Sequence, residues 1–196
     1  GGICGFSSNL AGSTNAVAFT GCVNRGNLTT KAARASGIVA AANRYTHLTD
    51  CTNYGNNFNE FATAGGARIG AITCITGQGC RLTGVVNHGD VICKNEGGCG
   101  SIVCLVNHAD NEFVECENYG RVISDRENNK YKGSFFGQCN MAAKFRNCIA
   151  QGDVGTYNNG NYVMVGINAD NYMDYLGAHN TAAVNVTREN ILYYPA

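Results

Sequence analysis

Short runs in which apolar and polar residues alternate recur along this chain, and their spacing is regular. The clearest segment reads apolar-x-x-Cys-x-Asn-x-Gly-x-apolar, and its Cys position is occupied in turn by Cys22, Cys51, Val85, Cys116 and Cys148. Successive copies are separated by 29, 34, 31 and 32 residues. Such a period is typical of repeat architectures, in which each repeat forms one structural unit and buries its apolar face against its neighbours.

A second recurring segment, small and apolar, lies between the copies of the first. Its copies span residues 2–6, 37–41, 68–72, 101–105, 134–138 and 163–167. Each has the length and composition of a short β-strand, and no window between them has the periodicity of a crossover helix. The common place of Ile38, Ile102 and Phe135 within these segments predicts that they share one interior column.

Strands that recur at this period without helices between them can pair only by stacking coil upon coil in parallel. The sequence therefore predicts an all-β fold, a right-handed parallel β-helix (β-solenoid) of about five to six coils with roughly 31 residues per coil. We expect a single domain over residues 1–196. The repeat region covers about 1–167, and about 168–196 form a degenerate last coil or a C-terminal cap.

The Asn of the first segment predicts a column at a corner of the coil. Its members are Asn24, Asn53, Asn87 and Asn118. Stacked amide side chains can hydrogen-bond to one another along such a column, and Asn tolerates the left-handed backbone of tight corners. The composition agrees, because 26 Gly and 26 Asn accompany a single Pro.

Charge excludes some partners and favours none. Fourteen Lys and Arg balance fourteen Asp and Glu, so no long-range field draws nucleic acid or an anionic membrane surface to the chain. No apolar stretch is long enough for a membrane span, so we expect no membrane insertion by this segment. The opening residues lie within a repeat motif, which predicts that the chain is part of a larger polypeptide.

The eleven cysteines follow the repeat rather than an even disulfide framework. Val85 takes the place of Cys in one copy, so this position requires a small buried hydrophobe, a role that free Cys fills. Two local pairs, Cys74 with Cys80 and Cys93 with Cys99, could instead each close a small loop. No Cys and His spacing matches a metal site, and we predict no metal, no cofactor and no catalytic residue.

The residue between the Asn and the Gly of each copy is the candidate binding position. It is occupied by Arg25, Tyr54, His88, Tyr119 and Gln151. Alternation along a strand points this residue outward if Cys and Asn point inward. An aromatic, hydrogen-bonding row of this kind could bind a glycan. The simpler interpretation, which we favour, is that large residues cover the corner of the coil.

An acidic cluster supplies the alternative of an enzyme. It comprises Asp110, Glu112, Glu115 and Glu117, followed by Arg121, Arg126, Lys130 and Lys132. Some carbohydrate-active β-helices use acidic and basic residues on one outer face. The same residues are also typical of a solvated rim of mixed charge, and we favour that interpretation.

The paired segments, a Gly-Gly-Ile type followed by Cys-x-Asn-x-Gly-x-Val, resemble the GLUG-type and related β-helix repeats of bacterial cell-surface and secreted proteins. The resemblance spans about residues 1–167. It implies an extracellular or cell-surface location and a non-catalytic, adhesin-like module whose partner is a glycan or a host surface. The alternative is a polysaccharide lyase or glycoside hydrolase of the β-helix type.

Overall fold

A computed structural model describes residues 1–31, 33–60, 68–94, 98–124, 131–152, 154–158, 161–164, 178–179, 186–189 and 192–193. The first coil contains β1 (Cys4–Ser7), β2 (Val17–Thr20), β3 (Val23–Asn24) and β4 (Leu28–Thr30). The second contains β5 (Arg34–Ser36), β6 (Val39–Ala42), β7 (Thr46–Thr49), β8 (Thr52–Asn53) and β9 (Asn57–Asn59). The third contains β10 (Arg68–Gly70), β11 (Thr73–Thr76), β12 (Arg81–Thr83), β13 (Val86–Asn87) and β14 (Val91–Cys93).

The same order of strands continues toward the C-terminus. The fourth coil contains β15 (Gly98–Gly100), β16 (Val103–Val106), β17 (Asn111–Val114), β18 (Glu117–Asn118) and β19 (Val122–Ser124). The fifth contains β20 (Lys132–Gly133), β21 (Phe136–Cys139), β22 (Ala143–Arg146), β23 (Ile149–Ala150) and β24 (Val154–Asn158), and β25 (Asn161–Met164) follows it. The last described strands are β26 (Ala178–His179), β27 (Val186–Glu189) and β28 (Leu192–Tyr193).

The strands form five sheets that run along the axis of the stack, each taking one strand from successive coils. Sheet 1 contains β5, β10, β15 and β20, and sheet 2 contains β1, β6, β11, β16, β21 and β26. Sheet 3 contains β2, β7, β12, β17, β22 and β27, and sheet 4 contains β3, β8, β13, β18, β23 and β28. Sheet 5 contains β4, β9, β14, β19, β24 and β25. Neighbouring coils pair in parallel in every sheet, so the predicted β-solenoid is confirmed.

The expected five to six coils correspond to four complete coils and two partial ones. The second to fifth coils each supply a strand to all five sheets, the first lacks a strand in sheet 1, and the last has three described strands. Most of residues 168–196 lie outside the described residues. The strands described there, β26, β27 and β28, extend sheets 2, 3 and 4 in parallel.

The predicted interior column is present, with one correction to its register. Ile38, Ile102 and Phe135 are fully buried and precede the paired residues of β6, β16 and β21. In the third coil this place belongs to Ile72, because Ile69 pairs in sheet 1 with Cys99. The repeat is irregular in length, and an apolar residue three positions earlier imitates the motif.

The described part of the last copy of the second segment does not continue sheet 2, and residues 165–167 lie outside the described residues. Residues 161–164 form β25, which turns back on β24 as an antiparallel strand of sheet 5. The strand that continues sheet 2 after β21 is β26. The apolar run Tyr162-Val163-Met164 suits an antiparallel hairpin as well as a stacked coil. Composition alone therefore cannot distinguish a hairpin strand from a strand of the stack.

The Cys and Asn columns lie where the sequence predicts. Cys51, Val85, Cys116 and Cys148 are fully buried, whereas Cys22 is only half-buried because no described coil covers the first one. The Asn amides form an interior ladder from coil to coil, with nitrogen–oxygen distances of 2.7, 2.9 and 2.9 Å from Asn24 through Asn53 and Asn87 to Asn118. None of the eleven cysteines forms a disulfide, the two local pairs included.

Two positions shape the corners of the coil. A Cβ added at Gly89 would lie 2.1 Å from the carbonyl oxygen of Gly55, so the column of corner glycines allows the coils to approach closely. The left-handed backbone occurs elsewhere, one residue before the Cys column. The residues there with positive φ are Gly21, Asp50, Gly84, Glu115 and Asn147.

Candidate functional site

The sequence-predicted binding residues form one exposed column, called the outer column below. It consists of Arg25, Tyr54, His88, Tyr119 and Gln151, all of them exposed. Their backbone groups are linked in register, since the amide of each residue from Tyr54 onward donates to the carbonyl of the Asn one coil below it. The first four of these residues each follow an Asn of the interior ladder, Gln151 follows the buried Ala150, and all five side chains leave the coil on the opposite side. The predicted alignment and outward direction are therefore confirmed, and ligand binding by this column stays a prediction.

The rings of the outer column stack on one another. The Tyr54 and His88 centroids are 4.8 Å apart with planes inclined by 6°, and those of His88 and Tyr119 are 5.2 Å apart at 9°. The guanidinium carbon of Arg25 lies 4.7 Å from the Tyr54 centroid. Each inner ring face is therefore covered by a neighbour, and the column presents ring edges and polar tips to solvent.

Charged side chains near the outer column satisfy one another. Glu112 forms ion pairs with Arg81 at 2.9 Å and with Lys144 at 3.5 Å, across three strands of sheet 3. Asp90 pairs with Arg121. These pairings support the interpretation of the acidic cluster as a rim of mixed charge; of its basic members, Arg126 and Lys130 lie outside the described residues.

A second surface, called the axial groove below, runs along the outside of sheet 2. It encloses about 340 Å³ and is lined by Phe6, Arg34, Ala41, Ala42, Asn43, Arg68, Ile75, Leu105, Asn107 and Asn140. Its floor is apolar, because Phe6, Ala41, Ile75 and Leu105 are register partners on adjacent strands. The groove therefore combines an apolar floor with polar walls of arginine and asparagine side chains.

One wall of the axial groove carries two arginines. Arg34 and Arg68 begin β5 and β10 and are direct partners in the parallel register of sheet 1, so they lie one coil apart. Neither guanidinium has an ion pair or hydrogen bond with another described residue. No acidic side chain is among the described residues that line the groove. Two like charges thus lie in adjacent coils without a counter-charge from the described part of the chain, and like charges on directly paired strands are destabilising.

The opposite wall carries a column of amides. Asn43, Asn107 and Asn140 each follow a paired residue of sheet 2, and Gly77 occupies the same place in the third coil. Asn43 donates to Ser8 at 3.3 Å, and Asn140 accepts from Gln138 at 2.7 Å. The exposed Asn107 side chain has no hydrogen bond with another described residue, so both its donor and its acceptor are available.

Three buried thiols, those of Cys51, Cys104 and Cys139, are poorly suited to nucleophilic catalysis. Burial raises the pKa of Cys51 to about 11 and that of Cys139 to about 12. The pKa of Cys104, beneath the axial groove, is raised well above its usual range, chiefly by burial, although the nearby Arg68 charge partly opposes the shift. These side chains are protonated thiols at neutral pH, and the thiolate is the reactive form.

Two further findings bear on the class of protein. Within the described ranges, no three His, Cys, Asp or Glu side chains come together as a metal site. None of the described residues forms a helix with the length and apolar character needed to cross a membrane.

The chain is thus a parallel β-solenoid that presents two surfaces along its axis, a self-stacked outer column and a groove whose two arginines pair with no described residue. Comparisons with protein-family models, with curated proteins and with solved structures found no match. The resemblance to GLUG-type repeats therefore rests on the repeat residues alone.

Sequence reasoning identified the outer column and missed the axial groove. The recurrence of Asn43, Asn107 and Asn140 at one offset was visible in the second segment. The arginines were not, because Arg34 and Arg68 lie in segments whose spacing differs between coils. When the coils are aligned on the strands of sheet 1, Arg34 and Arg68 occupy the same position.

Proposed function

We propose that this chain is a non-catalytic, adhesin-like module of a bacterial secreted or cell-surface protein, and that it binds an extended glycan along the axial groove. The observation that carries this proposal is the composition of the groove along its length. An aliphatic floor suits the C–H faces of sugar rings, and the two walls supply hydrogen-bond donors and acceptors for hydroxyl groups.

The direction of the groove supports an extended ligand rather than a compact one. Its floor residues come from four successive coils, each about 4.8 Å from the next, so the same kind of contact recurs along the axis. A polymer of similar units can repeat its contacts in the same way. Each further coil then adds contacts without a new kind of site.

The absence of a nucleophile among the described groove residues favours binding over catalysis. Its lining contains arginines, amides and apolar side chains, and no carboxylate that could act as an acid or base. The outer column remains a second candidate surface for the same function. Its ring edges and polar tips would bind through hydrogen bonds, because its inner ring faces are covered.

The test is a glycan-array screen of the whole chain, with a uronic-acid lyase assay in parallel. We expect binding to at least one glycan without cleavage. Ile75→Asp places a charge in the floor and should lower the signal roughly tenfold or more, since it replaces an apolar contact with a solvated carboxylate. Ile92→Asp is the matched control, because Ile92 is also half-buried on a strand but lies in sheet 5.

Three results would overturn the proposal. Turnover of a polysaccharide would favour the lyase or hydrolase. Failure to bind any glycan would contradict the proposed glycan-binding function. Equal loss in both aspartate variants would show that the groove has no special part in binding.

A further inference from the structure

We propose that the ligand of the axial groove is an acidic polysaccharide, whose carboxylate or sulfate groups are bound by Arg34 and Arg68. This inference rests on the proposed function, and it adds the chemical class of the glycan. It starts from the two guanidinium groups, which are register partners in sheet 1 and have no counter-charge among the described residues.

Two other arginines of the chain show what Arg34 and Arg68 lack. Arg81 and Arg121 also lie on strands or strand ends at the surface, and both are paired with carboxylates of neighbouring coils. A solenoid brings each side chain close to the equivalent positions above and below, and at Arg81 and Arg121 an acid lies there. At Arg34 the neighbour in the stack is another arginine, and no described carboxylate pairs with either guanidinium, so we assign their counter-charge to an external anion.

Arginine is suited to this ligand by its shape as well as by its charge. A guanidinium can bind a carboxylate or sulfate through two parallel hydrogen bonds. Arg68 is half-buried at the groove, which reduces the screening of its charge by water, and Arg34 is exposed at the rim. Two such groups one coil apart fit a polymer that carries acidic groups at regular intervals.

The rest of the groove favours a sugar over other polyanions. Proteins that hold single-stranded nucleic acid usually stack its bases on aromatic side chains. Among the described lining residues only Phe6 is aromatic, and it is at one end of the floor. The net charge of zero also gives little general attraction for nucleic acid. The amide wall at Asn107, by contrast, suits neutral hydroxyl groups between the charged ones.

The experiment is isothermal titration of the whole chain with matched acidic and neutral ligands. The probes are an oligogalacturonate and its methyl ester, a sulfated dextran oligosaccharide and the unmodified dextran, with poly(U) and poly-glutamate as other polyanions. We expect an acidic oligosaccharide to bind roughly tenfold or more tightly than its neutral counterpart, because each bidentate pair adds a charge-assisted hydrogen bond. The preference should shrink as ionic strength rises.

The variant Arg34→Gln with Arg68→Gln should lose the preference and bind acidic and neutral ligands alike. Arg81→Gln is the matched control and should keep the preference, because Arg81 is an exposed arginine of sheet 3, away from the groove. Circular dichroism and the melting temperature of each variant verify the fold, and the salt dependence of the unmodified chain provides a readout that needs no variant. The two acidic probes separate carboxylate from sulfate recognition.

The possible failures are distinguishable. Equal affinity for acidic and neutral sugars would overturn this inference and leave the glycan-binding function standing. A preference that survives the double substitution would place the anion site elsewhere. Binding of poly(U) or poly-glutamate as tight as that of the sugars would replace the polysaccharide with a general polyanion. Failure of every sugar to bind, here and on the array, would overturn both proposals.

Discussion

The outer column and the axial groove are built by the same rule, one residue per coil, yet they differ in what the stacked residues can do for one another. In the outer column flat rings meet flat rings, and Arg25 covers the ring of Tyr54. In the groove Arg34 meets Arg68, and two cations cannot satisfy each other. A repeat therefore stabilises itself wherever like residues attract, and it leaves a site for a ligand wherever like residues repel.

This difference predicts a division of roles. Substitutions under the outer column should change stability and leave binding intact, whereas substitutions in the groove should change binding and leave stability intact. The interior Asn ladder belongs with the outer column, because each of its amides precedes a residue of that column in the chain. Two asparagines, one from each region, give the most direct comparison.

The largest expected effect is that of Asn87→Ala. Asn87 is fully buried, accepts from Asn53 at 2.9 Å and donates to Asn118 at 2.9 Å, and it also bonds both backbone groups of Gly89. Its loss leaves buried partners without hydrogen bonds and should lower the free energy of unfolding by about 3 kcal/mol or more. Chemical denaturation measures this value.

Asn107→Ala is the matched control in the groove. Its side chain is exposed and has no hydrogen bond with a described residue, so the free energy of unfolding should change by less than about 0.5 kcal/mol. Similar losses in the two variants would contradict the division of roles, because they would show that the amide wall is structural.

The next effect concerns the rings. Tyr54→Ala combined with Tyr119→Ala removes two stacks on His88 and the contact of Arg25 with Tyr54. Together these contribute about 1–3 kcal/mol. The pair Tyr54→Phe with Tyr119→Phe keeps the stacks and should retain most of the stability in the same denaturation experiment.

The glycan affinity of these two double variants shows whether the groove or the outer column binds the glycan. If the groove binds the glycan, the alanine and phenylalanine pairs both keep the affinity of the unchanged chain. If the outer column binds it, as the sequence alone suggests, the phenylalanine pair also loses affinity, because the hydroxyl tips are gone. A stability unaffected by the alanine pair would mean that the rings contribute nothing to each other.

The fold could be predicted from the sequence because the interior columns are constrained by burial and close approach. Gly89 must lack a side chain, and Cys51 and Val85 fill the same buried place, so a recognisable motif recurs. The outer column was found because it lies inside that motif. The stacking of its rings on one another could not be predicted from the sequence. Alternation along a strand gives the direction of a side chain but not the inclination of its ring plane.

The groove could not be predicted because it joins elements whose spacing varies. From the second coil to the third the chain advances 34 residues, both from Arg34 to Arg68 and from Ala41 to Ile75, whereas from Ile75 to Leu105 it advances 30. The apolar match between residues 37–41 and 68–72 therefore aligns Arg68 with Gly37 and not with Arg34. Only the pairing of strands shows that Arg34, Arg68 and the apolar floor are neighbours.

The smallest expected effect compares an unpaired charge with a paired one. Arg34→Gln removes one of two like charges in adjacent coils, and it breaks no ion pair or hydrogen bond with a described residue. The free energy of unfolding should therefore stay the same or rise by up to about 0.5 kcal/mol, most clearly at low ionic strength, where repulsion between the guanidinium groups is least screened. Glu112→Gln should have the opposite sign, a loss of about 0.2–1 kcal/mol, because Glu112 lies between Arg81 and Lys144 and both are left without a counter-charge. Urea denaturation of both variants at low and high salt measures the two values, and high salt should bring each toward zero. A destabilised Arg34→Gln variant would mean that Arg34 has a partner within the protein, and the contrast between the groove and the outer column would no longer hold.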